Sequence, residues 1–251
     1  MPIRIPEIGY KRHYEVRTYE IDSRKRMTVP ALVRLMQEAA MQNVIRLGLS
    51  VWDLEPQHIS WVLMRKQISV VRMPVLGERI LIATYPSGFE RLFTYRDYKV
   101  FDDSGQLLAA SSSTWILMDM HSRRLAPIPA FILEYHNQMP PTEDCLPRPG
   151  GKLTPFGTAT FSKQFEVNWH DLDFNEHLNN TLYIKWMLEP MPIDVLNSCQ
   201  LLQLDISYRA ESQLQDIVLA QVQPLDDGAF LHRLLRQSDG KELAVAKTAW
   251  E

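Results

Sequence analysis

The sequence predicts an α+β protein made of two tandem copies of one domain, each an antiparallel sheet wrapped around a long helix. Two observations predict this fold. A proline-rich stretch interrupts the 251 residues near their middle, and one helix followed by several strands is written on both sides of it. A chain of this length can form two domains of about 100–150 residues, each with its own core.

Prolines mark the boundary between the two copies. Seven of the 16 prolines lie between Pro127 and Pro155, and three glycines cluster at the end of that stretch. Proline has no backbone donor and does not fit regular ladders, so the stretch is predicted to be a surface linker. We therefore expect an N-terminal domain over residues 1–130, a linker over 131–157 and a C-terminal domain over 158–251.

Each half shows the same order of elements. In the first, residues 13–20 read as a strand, and apolar residues then recur at three-and-four spacing from Leu32 to Leu47, with Gly48 where a helix would end. Strands are predicted at about 59–72, 78–87, 91–102 and 106–118. The second half repeats this order, with a strand at 162–169, a helix from about Asn180 and strands near 201–209, 215–223, 229–237 and 242–250.

The halves also align with each other. A shift of 151 positions pairs residues 14–38 with 165–189 without a gap, and the five identities include Asp22 with Asp173. Shorter matches follow at shifts of 138 and then 135 positions, as expected if the second copy has lost loop residues. Three matches in the same order favour duplication over chance similarity.

Composition limits the classes of partner and site. The net charge of −3 provides no overall basic field for nucleic acid or an anionic membrane. Two cysteines, Cys145 and Cys199, cannot form a disulfide framework or a cysteine-based metal site. No signal sequence and no apolar run of about 18 residues is visible. We expect a cytoplasmic protein without a cofactor or metal, without nucleic acid and without membrane insertion; a transit peptide removed before this sequence is the alternative.

The matched block differs between the copies at two positions that carry chemistry. Both copies keep the aspartate, but the first has Arg24 and Arg26 where the second has Asn175 and His177. These residues precede the second predicted helix, where backbone N–H groups and the helix dipole favour developing negative charge. A carbonyl placed there can be polarised, and the side chains can supply a carboxylate nucleophile or activate water.

Simpler explanations compete with this one. Asp and Asn before a helix are commonly caps, and a single histidine there is commonly a surface residue. The Asp-x-Asp-x-Asn pattern at 171–175 resembles the start of a calcium-binding loop. However, Glu176 and Leu182 stand where that loop needs glycine and glutamate. The nearby histidines bring no further ligands at metal spacing, and no G-x-S-x-G motif indicates a serine hydrolase.

The stretch WHDLDFNEHLNN at 169–180, followed by YIKWMLE at 183–189, resembles the acyl-ACP thioesterase family. In the first half, YEVRTYE at 14–20, LMQEA at 35–39 and RRL at 123–125 resemble the same family, so the similarity spans nearly the whole chain. The resemblance implies two tandem hotdog domains. It also implies an enzyme that hydrolyses the thioester of fatty acyl-[acyl carrier protein], releasing free fatty acid and terminating fatty acid synthesis.

The resemblance further implies four catalytic residues. Three are Asp173, Asn175 and His177, and the fourth is Glu211 in a Tyr-Arg-x-Glu segment. Plant members often carry a cysteine next, where this chain has Ser212, so a cysteine nucleophile does not apply. We hypothesise that amides at the start of the second helix hold the thioester oxygen and that Asp173 attacks or orients the attack. Glu211 and His177 would activate water and protonate the thiol, and Asn175 would position water or the carbonyl.

The acyl chain needs an apolar tunnel, which we expect in the first copy because that copy keeps a helix rich in Leu, Met and Ala. The residues predicted to line it are Leu32, Leu35, Met36 and Trp61. Each of them equally fits an ordinary core position. Acyl carrier protein is acidic, so docking requires local basic residues, for which segments 24–26 and 123–124 are candidates.

Other functions stay open. A hotdog thioesterase acting on CoA esters would use the same chemistry with a different carrier, whereas a hotdog dehydratase would place its His and carboxylate differently. A non-catalytic acyl-binding hotdog protein would leave His177 and Glu211 without a joint purpose, and it would normally carry a DNA-binding module that is not visible here. The sequence leaves undecided the acyl chain length and saturation, a covalent anhydride against direct water attack, and a homodimer against a single chain.

Overall fold

The computed structural model describes residues 5–251. The chain divides into two compact units: residues up to Met27 with Arg34–Pro149, and Thr28–Val33 with Gly150–Glu251. Each unit consists of an antiparallel sheet with a helix packed on one face. The predicted α+β fold is confirmed.

The first unit is built on long strands. Its strands are β1 (Tyr10–Glu15), β2 (Ile59–Val70), β3 (Arg79–Glu90), β4 (Phe93–Asp102), β5 (Leu107–Asp119) and β6 (Leu125–Ala126). Its helices are α1 (Val29–Arg46), which belongs to this unit from Arg34 onwards, α2 (Val51–Leu54) and α3 (Ala130–Leu133). The order across the sheet is β1-β3-β4-β5-β2, and β6 pairs with β5. The hairpins β3–β4 and β4–β5 join neighbours in sequence, while β2 pairs with β5 on the far side.

Helix α1 lies on the inner face of this sheet. Met36 and Ala39 are completely buried, as the predicted periodicity requires. Asn43, also completely buried, donates from Nδ2 to the Ile8 carbonyl at 2.9 Å and accepts from Arg96 Nη1 of β4 at 2.8 Å. The helix ends before Gly48, whose φ of 64° suits glycine, so the predicted helix end is confirmed.

The second unit repeats this topology with shorter elements. Its strands are β7 (Phe161–Glu166), β8 (Leu201–Tyr208), β9 (Ile217–Pro224), β10 (Phe230–Arg236) and β11 (Glu242–Trp250). Its helices are α4 (Asn180–Leu188) and α5 (Ile193–Ser198). The order β7-β9-β10-β11-β8 matches that of the first unit strand for strand.

The first strand of each unit is shorter than predicted. Instead of running over 13–20 and 162–169, β1 ends at Glu15 and β7 at Glu166, and a 3₁₀ turn follows each. In both turns an acidic side chain accepts from the backbone N–H three residues earlier: Glu20 from Arg17 at 2.8 Å, and Asp171 from Asn168 at 2.9 Å. These hydrogen bonds favour a tight turn over an extended strand.

The central helix of the second unit is shorter than that of the first. Helix α4 has nine residues where α1 has 18. Pro190 and Pro192 follow α4. Proline has no N–H to donate to the helix, and its ring clashes with the carbonyl four residues earlier. The chain therefore leaves the helix and restarts in α5.

The duplication is visible in side-chain contacts as well. Near the end of β5, the Trp115 indole N–H donates to Ser113 Oγ at 2.8 Å. In β11, the Trp250 indole N–H donates to Thr248 Oγ1 at the same distance. Trp115 and Trp250 are 135 positions apart, as are Ser113 and Thr248, which is the shift found in the sequence. The equivalence of β5 and β11 therefore extends to an individual hydrogen bond.

Candidate active site

The loop before α4 is closed by one carboxylate. Asp173 Oδ1 accepts from the backbone N–H of Asn175 at 2.8 Å and of His177 at 3.4 Å, and the Asp173 N–H donates to the His177 carbonyl at 2.8 Å. Glu176, inside the loop, has a φ of 61° in the left-handed region. Residues 172 and 178 pair as an isolated bridge that closes the loop at its base.

The first unit folds the same loop with other side chains. Asp22 Oδ1 accepts from the N–H groups of Arg24 at 2.8 Å and Arg26 at 3.0 Å, and Lys25 has the same φ of 61° as Glu176. Asp22 Oδ2 also lies 3.5 Å from Arg24 Nε and 3.6 Å from Arg26 Nε. The aspartate therefore shapes the loop in both copies, but it does not cap the helix, because the N-cap of α4 is Asn179.

Glu211 approaches this loop from the segment that follows β8. Its Oε2 lies 3.4 Å from His177 Nε2, and the two side chains are 36% and 20% exposed, respectively. Such a distance allows a charge-assisted hydrogen bond after a small adjustment, and the partial exposure leaves the pair accessible to water. The structure thus brings together all four residues that the sequence singled out, three on the loop and one beside it.

The segment carrying Glu211 is tied to the loop through the backbone. The Leu178 N–H donates to the Ser212 carbonyl at 2.8 Å. In the first unit the equivalent bond joins Met27 to Pro74 at 2.7 Å, which reproduces the 138-position shift between Pro74 and Ser212. By that shift Met73 occupies the position of Glu211, so the first copy lacks the carboxylate as well as the imidazole.

Helix α4 begins directly after this loop. Asn179 caps it, with Oδ1 accepting from the Thr181 N–H at 3.0 Å and from the Thr181 hydroxyl at 2.8 Å. The Asn179 N–H in turn donates to the Asp171 carbonyl at 2.9 Å. The cap joins the site loop to a helix end whose dipole stabilises negative charge.

Sequence reasoning missed the residues that support Glu211. Tyr183 of α4 donates its hydroxyl to the Ala210 carbonyl at 3.1 Å, and Arg236 of β10 donates from Nη1 to the Glu211 carbonyl at 3.3 Å. Burial, and next the Glu211 carboxylate, raises the pKa of Tyr183, so its phenol stays a neutral donor. These partners are 27 and 25 residues apart in the chain, too far for any local pattern to indicate them.

The residues predicted to line an acyl tunnel are found in and near the core. Leu32 and Met36 of α1 are completely buried and Leu35 is half-buried. Trp61 of β2 is half-buried, and its indole N–H donates to the Leu49 carbonyl at 3.0 Å. These positions fit a tunnel wall and an ordinary core equally, so their role stays a prediction.

A separate cavity opens on the surface of the first unit. Its volume is about 400 Å³, and it is lined by Leu47, Gly48, Leu49, Phe131, Glu134, Tyr135 and Gln138. None of the four predicted tunnel residues belongs to this lining. Within residues 5–251, no three His, Cys, Asp or Glu side chains are grouped to hold a metal ion. Nor does any helix in that range have the length and apolarity needed to span a membrane.

Known proteins resemble this chain along nearly its whole length. A relative from Cuphea viscosissima, a chloroplastic acyl-[acyl-carrier-protein] hydrolase, is 30% identical over 258 residues, which cover 96% of this chain and 62% of the relative. The oleoyl-acyl carrier protein thioesterase 1 of Arabidopsis thaliana, also chloroplastic, is 26% identical over 275 residues, or 97% of this chain and 76% of its own length. The chain thus spans about three fifths of the length of the first of these relatives.

Solved structures share the fold. The 12:0-ACP thioesterase from Umbellularia californica superposes with a TM-score of 0.90 at 22% identity, covering 99% of both chains. An acyl-ACP thioesterase from Bacteroides thetaiotaomicron superposes with a TM-score of 0.84 at 21% identity, covering 97% of this chain and 98% of its own. These matches establish the double hotdog fold.

Family models account for both halves of the sequence. The model of the acyl-ACP thioesterase N-terminal domain matches residues 7–135, and that of the acyl-ACP thioesterase C-terminal domain matches residues 157–251. Together with the fold and the paired loops, these matches show that the chain belongs to the acyl-ACP thioesterase family.

Proposed function

We propose that the protein hydrolyses the thioester of fatty acyl-[acyl carrier protein], releasing free fatty acid and terminating fatty acid synthesis. One observation carries the proposal. The second unit has Asn175 and His177 on its loop and Glu211 beside the loop, at the positions where the first unit has Arg24, Arg26 and Met73. Membership of the family supports the same reaction.

The proposed chemistry begins with the thioester carbonyl at the start of α4. Backbone N–H groups there would stabilise the developing oxyanion, a contribution of roughly 3–4 kcal/mol in comparable sites. His177, oriented by Glu211 at 3.4 Å, would take a proton from water as the water oxygen bonds to the carbonyl carbon. The C–S bond would then break, and the same proton would pass to the departing sulfur, giving an acid and a thiol.

Asp173 has two roles to reconcile. One of its oxygens already accepts from two backbone N–H groups of the loop, as the equivalent oxygen of Asp22 does in the first unit. A carboxylate held in this way is a weaker nucleophile, because those donors stabilise its negative charge. We therefore favour the orienting role over a covalent anhydride. Single turnover in heavy-oxygen water tests this choice: label incorporated into Asp173 would establish the anhydride instead.

The two domains would divide the work. We propose that the N-terminal domain, over 1–130, binds the acyl chain through Leu32, Leu35, Met36 and Trp61, and that the C-terminal domain, over 158–251, performs the hydrolysis. Leu32 and Met36 are completely buried, as a wall that excludes water from an alkyl chain must be.

The carrier protein is the proposed partner. Segments 24–26 and 123–124 provide local basic residues for an acidic carrier, although Arg24 and Arg26 share part of their charge with Asp22. The plant relatives are chloroplastic, whereas the expectation from this sequence is a cytoplasmic enzyme. In either compartment the enzyme must meet acyl carrier protein. We propose that one chain, rather than a homodimer, is sufficient for the reaction because it carries both domains.

A side-by-side assay of acyl-ACP and acyl-CoA esters of graded length tests the proposal. We expect a higher kcat/KM for the carrier-protein esters. His177→Ala should lower kcat by about 10²–10⁴-fold, the range for loss of a general acid–base group. Preference for CoA esters would establish the CoA thioesterase alternative. Saturable acyl binding without hydrolysis would establish the non-catalytic one.

A further inference from the structure

Two tyrosines of the second unit make reciprocal contacts between α4 and the end of β8. Tyr183 of α4 donates its hydroxyl to the Ala210 carbonyl at 3.1 Å, just after β8. Tyr208, the last residue of β8, donates its hydroxyl to the Asn180 carbonyl at 3.3 Å, in the first turn of α4. The two rings meet edge to face with centroids 5.5 Å apart. We call Tyr183 and Tyr208 the tyrosine brace.

The brace acts on the segment that carries Glu211. Three consecutive carbonyls of this segment accept hydrogen bonds from three different elements: residue 210 from Tyr183 at 3.1 Å, residue 211 from Arg236 at 3.3 Å and residue 212 from the Leu178 N–H at 2.8 Å. The backbone of Glu211 is therefore fixed on both sides. The Glu211 carboxylate therefore extends towards His177 from a fixed backbone segment, as the precise positioning of a catalytic group requires.

The copy without the catalytic residues lacks the brace. The shift of 151 positions places Leu32 at the position of Tyr183, and the shift of 138 places Val70 at that of Tyr208. Both are apolar and buried, so the hydroxyls are not needed for packing a helix on a sheet in this fold. The two tyrosine hydroxyls occur in the copy that contains Glu211.

An arginine contact shows the same contrast. In the first unit Arg72, which takes the position of Ala210, binds Glu78 with two hydrogen bonds of 2.9 and 2.7 Å and lies 3.4 Å from Asp102. In the second unit the arginine comes instead from β10. Arg236 lies 3.5 Å from Asp216, the equivalent of Glu78, and also reaches the Glu211 carbonyl. An arginine pairs with an acidic residue in both units. In the second unit this arginine lies on β10, where it also contacts the Glu211 carbonyl.

We propose that Tyr183 and Tyr208, together with Arg236, are positioning residues that hold the Glu211 carboxylate opposite His177. The inference rests on the proposed hydrolysis, since it assigns these residues to the same site. Burial raises the pKa of both phenols, so they remain donors throughout the working range of the enzyme.

The test compares Tyr183→Phe and Tyr208→Phe in the full chain, each with and without Glu211→Gln, using acyl-ACP as substrate. Each single variant should lower kcat by roughly tenfold with KM within about twofold, as expected for loss of one positioning hydrogen bond. In the Glu211→Gln background the same change should cost less than about twofold, because residues that act through one group are not additive.

Tyr135→Phe is the matched control. In the first unit the Tyr135 hydroxyl donates to the Leu47 carbonyl at 2.8 Å, the same kind of bond outside the site. This variant should keep the kcat of the wild type. An equal loss from Tyr183→Phe with and without Glu211 would overturn the proposal, as would a kcat unchanged by both brace variants.

A second readout separates this inference from the proposed function. The imidazole ¹³C and ¹⁵N signals of His177 should move in Tyr183→Phe in the same direction as in Glu211→Gln and stay in place in Tyr135→Phe. A wild-type protein that hydrolyses no thioester would end the proposed function, while these signals would still decide whether the brace positions Glu211. Signals unmoved in both brace variants would end the inference. If Tyr183→Phe does not fold, Tyr208→Phe carries the same test.

Discussion

Lys66 in β2 is an ionisable residue in the interior of the first unit. Its side chain is on the inner face of the sheet, with the residue 4% exposed and Nζ 3.8 Å from the centre of the Tyr98 ring. Burial, and next the Arg96 charge, lowers the pKa of Lys66 to about 7. The ring face offsets part of the cost of burying the ammonium.

Replacing this lysine should stabilise the protein in a pH-dependent way. The pKa is lower in the folded state than the ordinary value of 10.5, so the folded state loses the proton first and the wild type gains stability as pH rises from about 7 to 10.5. Lys66→Met should therefore raise the free energy of unfolding near pH 7 by about 1–3 kcal/mol, and by less at pH 10. Chemical denaturation at the two pH values measures this. Lys99→Met, at a half-exposed lysine of β4, is the control; an equal gain at both pH values would contradict the prediction.

At the scale of elements, α4 is attached to its sheet through His232 of β10. This completely enclosed imidazole contacts the Met187 carbonyl through Nδ1 at 2.9 Å and Thr248 Oγ1 through Nε2 at 2.8 Å. The contact with Met187 near the end of α4 complements the brace near its beginning. The short helix is thus held near both ends.

The attachment of α4 should weaken in acid. Burial lowers the pKa of His232 to about 4, so its contribution to stability is present above the ordinary value of 6.5 and is lost as pH falls towards 4. His232→Gln should reduce the free energy of unfolding at pH 7 by about 1–3 kcal/mol and lose less stability than the wild type between pH 6.5 and 5. Denaturation midpoints across that range measure both effects. His13→Gln, at an exposed histidine, should follow the wild type; a steeper acid loss in His232→Gln would refute the assignment.

Helix α1 provides the test of the proposed acyl-binding role. Met36→Trp enlarges a completely buried side chain and should shorten the acyl group preferred by the enzyme, because the added volume would occupy the end of the tunnel. Fatty acids released from a mixture of acyl-ACP substrates, identified by chromatography, measure the preference. Arg34→Trp, on the exposed side of the same helix, should leave it unchanged. Identical product lengths in the two variants would remove α1 from the tunnel.

At the scale of the whole molecule, the duplication separates the structural from the chemical role of the loop aspartate. Asp22→Ala and Asp173→Ala each remove a carboxylate that accepts from two backbone N–H groups, so each should cost about 1–2 kcal/mol of stability. Only the second should also lower kcat by more than about tenfold. Thermal unfolding and steady-state kinetics measure the two effects. A kcat loss of similar size in both variants would contradict a single site.

Local patterns predict much of this molecule, and long-range contacts are the part they leave out. The periodicity of α1, its end at Gly48 and the hairpins of β3, β4 and β5 follow from residues close in sequence. The pairing of β2 with β5 does not, because strands distant in the chain carry no signal of their neighbour. The two 3₁₀ turns were missed because an acidic side chain three residues on overrides strand-like alternation.

The candidate site divides in the same way. Asp173, Asn175 and His177 stood out because they are local and differ from the first copy. Glu211 lies 34 positions beyond His177 and was indicated only by the family resemblance. Tyr183 contacts the Ala210 carbonyl and Arg236 the Glu211 carbonyl, and the sequence alone has no pattern for such tertiary contacts.

The shared loop has a consequence for how such proteins diverge. Its shape depends on one carboxylate and on backbone bonds, and both copies keep these with quite different side chains at the two variable positions. The side chains at the two variable positions can therefore change without loss of the loop's shape, whereas the aspartate cannot. Two copies of one fold can therefore hold different side chains at these positions on the same loop backbone, so that one copy can carry reactive groups and the other need not.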